Sequence, residues 1–114
     1  MKELLFTVCK KNTPICNVYR DESSSKGFVC EELPDFNRQD AVATPKFYKT
    51  LDEYYRTRIF PENRVDKKRL LKILGLREYI PEEVCRATKG YFFDEPFWVR
   101  FVGDTSKYED FCLR

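Results

Sequence analysis

A chain of 114 residues, 42% hydrophobic and 35% charged, has the balance of a soluble globular protein and room for one hydrophobic core, which excludes a disordered chain and a two-domain one. With 21 basic against 19 acidic residues, the net charge of +2 is not that of a basic protein. Histidine is absent, which removes Ser–His and Cys–His nucleophile pairs and the commonest zinc ligand.

Reading from the start, "MKELLFTVCKK" is too short and interrupted for a signal peptide, and no apolar run approaches a membrane span. The cytoplasm is the expected compartment. "KELLFTVCKK" alternates, which predicts a half-buried strand with Leu4, Phe6 and Val8 on one face and Leu5, Thr7 and Cys9 on the other. "PICNVYR" and "KGFVCEEL" are rich in β-branched and aromatic residues, and the polar "DESSSKG" between them reads as a hairpin loop. Residues 3 to 33 are thus predicted to form a three-stranded antiparallel meander. "PDFNRQDAVATP" has turn formers and no stable period, which reads as a surface loop.

The middle is helical. Glu53 stands three residues after Thr50, the spacing of a capping box, and a helix through Leu51, Tyr54, Tyr55 and Arg58 should end before Pro61. A second helix over residues 65 to 74 presents Leu70, Leu71, Ile73 and Leu74 as an apolar face and stops at Gly75. A third begins near Pro81, with Glu82 and Glu83 in its first turn, and runs to Gly90. In "GYFFDEPFWVRF" the proline interrupts any ladder, so the late strand covers residues 97 to 102 and places Trp98 in the core. Asp94 reads either as an acid held among aromatics or, preferred here, as a turn residue accepting local N–H groups. The fold class is α+β: one domain over residues 1 to 114, a small antiparallel sheet and three short helices.

Chemistry is sparse. Cys9, Cys16, Cys30, Cys85 and Cys112 are an odd count with no CxxC pair, which predicts free thiols and no metal site. The four glycines lie far apart, so no phosphate-cradling loop is present and no cofactor is expected. Charge is nonetheless uneven. From residue 64 to 77, Arg64, Lys67, Lys68, Arg69, Lys72 and Arg77 stand against one acid, Asp66, a local +5. Lys68 and Lys72 share a helix face. The strip reads as a solvated face or as a surface for phosphates or an acidic partner. As a helix-turn-helix the arrangement is poor: "GLREYI" is a long connection, and Glu82 and Glu83 would open the recognition helix. Phe47, Tyr48, Tyr54 and Tyr55 serve either as a base-stacking platform or, more commonly in so small a domain, as core.

"RTRIFPENR", "LLKILGL" and "KGYFFDEPFWVRF", with "VYRDESSSKGFV" before them and "KYEDF" after, resemble the N-terminal module of HipA-like kinase proteins of Gram-positive bacteria and their mobile elements. Arg58, Pro61 and Arg64 keep that module's Arg–Pro–Arg spacing, and Gly90 and Trp98 its Gly–Trp spacing, with Glu95 as the acid in register. Phe60 replaces an isoleucine, "YFF" replaces Leu-Ser-Leu, Phe97 replaces a tyrosine, and one extra residue separates Asp21 from Gly27. In the larger proteins the ATP-binding and catalytic elements lie downstream, and no phosphate loop or catalytic Asp–Asn pair is found here. The resemblance therefore implies a stand-alone, non-enzymatic module. Its expected role is to bind and inhibit a bacterial protein or ribonucleoprotein on behalf of a phage or mobile element, as an anti-CRISPR protein does. The alternative is a nucleic-acid-binding regulator or antitoxin-like module using the strip 64–77.

Overall fold

A computed structural model describes residues 2–92 and 95–108. Four antiparallel strands, β1 (Lys2–Lys10), β2 (Thr13–Asp21), β3 (Phe28–Glu32) and β4 (Phe97–Phe101), form one sheet in the order β3-β2-β1-β4. The helices α1 (Leu51–Thr57), α2 (Lys67–Ile73) and α3 (Pro81–Thr88) complete the predicted α+β architecture. Asp94 lies outside the described residues, as do Cys112 and most of "KYEDF".

The main core is built on one sheet face. Phe6 pairs with Val18 and Phe101, and Val8 with Cys16 and Val99, so their side chains emerge together. Tyr54 and Tyr55 of α1 and Val84 and Cys85 of α3 close this layer. The Phe6 and Tyr54 rings stack with centroids 5.9 Å apart.

The first strand departs from simple alternation. Leu4 pairs with Tyr19 and Phe6 with Val18, so one extra residue, Leu5, is inserted between them. A bulge of this kind reverses the face of everything beyond it. Leu5 therefore packs against the core, and Leu4, predicted to join Phe6, stands 39% exposed.

The segment read as a plain loop is also ordered. It holds two 3₁₀ helices, Arg38–Ala43 and Pro45–Phe47, with Asp40, Ala41, Ala43, Thr44 and Pro45 buried. The Ala43 carbonyl accepts the Tyr54 hydroxyl at 2.6 Å, so this segment satisfies the one polar atom of a fully buried ring. Thr50 caps α1 by accepting from the Glu53 N–H at 3.1 Å. The Glu53 carboxylate takes the Lys49 N–H rather than that of Thr50, so the predicted box closes one residue further out. Cys9, Cys16, Cys30 and Cys85 carry free thiols, and burial pushes the Cys85 thiol up to about 12. Among the described residues no helix is long and apolar enough to cross a membrane.

Candidate interaction surface

The chain is wound before α2 begins: Arg64 N–H donates to the Pro61 carbonyl and Lys67 N–H to that of Arg64. Asp66 occupies the N-cap without capping through its side chain. Its carboxylate instead receives Arg64 Nε at 2.7 Å and Arg69 Nη2 at 3.1 Å. Partial burial works to raise the Asp66 carboxyl, but the hydrogen bond from Arg69 and the charge of Arg64 outweigh it and hold it below the usual range. The far end closes as a Schellman motif, with Leu76 N–H on the Leu71 carbonyl at 2.8 Å and Gly75 N–H on that of Lys72 at 3.0 Å. Gly75 supplies the required positive φ of 78°.

This helix is lightly anchored. Leu71 is its one buried residue, and Leu74 and Leu76 rest against the core edge. Ile73 does not join them, contrary to the predicted apolar face. It follows Leu71 by two residues, about 200° around the helix, and is 69% exposed. Val65, just before the helix, is fully exposed.

The six basic residues divide into two groups. Arg64 and Arg69 converge on Asp66. Lys68 and Lys72, one turn apart and exposed, have no ion pair among the described residues, nor do half-buried Lys67 and exposed Arg77 beyond the Schellman turn. Arg69 and Ile73 are also one turn apart. The outer side of α2 thus presents lysines with one bare aliphatic side chain, Ile73, and a second, Val65, stands just before the helix, a composition suited to a protein contact with an acidic rim.

A second cluster gathers residues that sequence reasoning had left as motif positions. Arg58, only 6% exposed, donates from Nε and Nη2 to the Gly90 carbonyl at 3.1 and 2.8 Å and from Nη2 to that of Phe97 at 3.2 Å. Glu95 Oε1 lies 2.7 Å from Nη2, and Phe92 lies under the guanidinium at 5.3 Å. Gly90 sits at φ 57°, where an added Cβ would come 3.0 Å from Val99 Cγ2 and 3.3 Å from Arg58 Cβ. Arg58, Gly90 and Glu95 therefore meet as a buried staple between α1 and the approach to β4. Nε and Nη2 of the guanidinium are thus engaged by two backbone carbonyls and a carboxylate, the arrangement of a structural tie.

The aromatics are mostly core. Tyr54 and Tyr55 are buried, Tyr48 is half-buried with its ring edge-on to Tyr54, and Phe47 alone of the four is exposed. They form no stacking platform. In α3, Val84 and Cys85 are fully buried, so its solvent side is left to Glu82, Glu83 and Arg86. No family model, curated protein or solved structure matches the chain.

Proposed function

We propose that the protein is a non-catalytic binding protein that contacts a macromolecular target through the outer side of α2, as expected of an inhibitor or regulator carried by a phage or mobile element. An anti-CRISPR protein is the concrete form of this reading. The observation that carries it is the pairing of unpaired Lys68 and Lys72 with exposed Ile73 on one lightly anchored helix, and exposed Val65 just before it. A fold gains nothing from leaving two branched aliphatic side chains in water, whereas a partner surface does. Long lysine stems beside them add contact area while their heads steer an acidic partner.

The second reading, nucleic-acid binding, draws on the same charges. It is weakened by Asp66, which already holds Arg64 and Arg69, and by the acids that open α3. Capture from a bacterial lysate on the immobilised protein, with and without nuclease, separates the two. A partner retained after nuclease treatment is the expected result. Loss of all captured material on nuclease treatment would move the assignment to the second reading.

A further inference from the structure

The β2–β3 register sets Val18 opposite Cys30 and Cys16 opposite Glu32, so Cys16 and Cys30 are diagonal neighbours on one face of the sheet. Both pack in the main core, Cys16 fully buried and Cys30 half-buried at its edge. Two ammonium groups bracket Cys30 along that face. Two residues before it, Phe28 has Lys26 Nζ over its ring at 5.8 Å; two residues after it, Glu32 pairs with Lys46 Nζ. Lys26 Nζ also donates to the Lys46 carbonyl at 3.1 Å, which keeps the two lysines side by side.

The Cys16 thiol has two acceptors in reach, the Asn17 carbonyl at 3.6 Å and the Cys30 sulfur. The hydrogen bond from Cys16, followed by the charges of Lys26 and Lys46, outweighs burial and Glu32 and holds the Cys30 thiol below its ordinary value. Cys16 is pushed the other way, first by that hydrogen bond and then by burial. At Cys9 and Cys85 burial dominates and raises both thiols. A half-exposed thiol beside cations, with a second thiol next to it, has the surroundings of an oxidant-responsive pair.

We propose that Cys30 and Cys16 close a reversible disulfide in response to a hydroperoxide, Cys30 attacking and Cys16 resolving. The Cys30 thiolate attacks one peroxide oxygen, the O–O bond breaks, and the displaced hydroxide takes a proton and leaves as water. The Cys16 sulfur then attacks the Cys30 sulfenic acid. An S–S bond forms, the S–O bond breaks, and hydroxide leaves as water with the Cys16 proton. Two thiols are oxidised to one disulfide while one hydrogen peroxide is reduced to two waters. Diagonal partners stand about 7–8 Å apart and a disulfide spans up to about 6.8 Å between Cα atoms, so closure draws the strands together by roughly 1 Å. β3 ends the sheet and is paired on one side, to β2, which leaves it room to move by that much. A bond closed under strain is readily reduced again, as a reversible modification requires. None of these residues belongs to α2, so the pair stands apart from the reading of that helix.

Treatment of the intact reduced protein with equimolar hydrogen peroxide, then blocking of free thiols and peptide mapping, tests this. A Cys16–Cys30 link that dithiothreitol reverses is the expected product, and Cys30→Ala should remove it. In the Cys16→Ala protein, dimedone should trap a sulfenic acid at Cys30. Adding Lys46→Met to that variant should slow alkylation of Cys30 by iodoacetamide near neutral pH by about threefold or more, because the thiolate fraction follows the charge beside it. Three results would each overturn the proposal: no Cys16–Cys30 link in the unmutated protein, dimedone labelling at Cys30 no greater than at Cys9 and Cys85, or an unchanged alkylation rate with Lys46→Met.

Discussion

Arg58→Met is expected to destabilise the protein by about 2–5 kcal/mol, because two backbone carbonyls lose their charged donor at about 1–3 kcal/mol each. Methionine keeps much of the volume, so the loss is chiefly polar. The carbonyls of Gly90 and Phe97 would lose their donors, and Glu95 would lose its cation. Because Glu95 is partly exposed and can rehydrate, the carbonyls carry most of the effect. Arg58→Lys should recover only part of it, since an ammonium lacks the planar fork that reaches both carbonyls and Glu95 together. Urea denaturation measures both variants. An Arg58→Met protein within about 1 kcal/mol of the parent, below the usual cost of an orphaned buried acceptor, would show that the staple is not structural.

Trp98→Ala has a comparable expected cost, about 3–5 kcal/mol for a large-to-small change in a packed interior. Trp98 is 1% exposed and pairs with Cys9, itself fully buried, on the sheet face opposite Val8 and Val99. It also fixes a turn. Its indole N–H donates to the carbonyl of Lys11, a residue at φ 55°, whose own N–H donates to Pro96 at 2.8 Å. Without the indole, a backbone conformation that lysine rarely adopts would lose one of its two ties to the approach of β4. Trp98→Phe should cost less, because most of the apolar area remains while the hydrogen bond is lost. A folded Trp98→Ala protein of parental stability that had lost partner binding would make Trp98 an interface anchor instead.

The two sites were not equally legible in the sequence. Alternation gave the strands, and Thr50, Pro61, Gly75 and Pro81 gave the helix limits, because those signals act within a few residues. Period-two reading could not see the bulge at Leu5: an inserted residue leaves both flanking segments alternating and changes only which face they share. The 3₁₀ helices at Arg38–Ala43 and Pro45–Phe47 escaped for a related reason, being too short to establish a period. Arg58 was visible as a motif position but its role was not, since its carbonyl partners lie 32 and 39 residues away in the chain. The basic strip was legible as composition. That Asp66 would claim Arg64 and Arg69, leaving Lys68 and Lys72 beside bare Ile73, depends on the geometry of the turn into α2.

The claim that α2 is the contact surface is tested most directly by the Lys68→Glu, Lys72→Glu double variant, measured for melting and for affinity toward the partner retained after nuclease treatment. Both lysines are exposed and unpaired among the described residues, so their replacement should alter stability by roughly half a kcal/mol or less each. Affinity at low salt should fall by about tenfold or more, and the remaining binding should respond less to added salt, because the reversed charges would face the acidic rim that the lysines attract. Parental affinity at low salt in a normally folded double variant would contradict the account and reduce the strip to a solvated helix face.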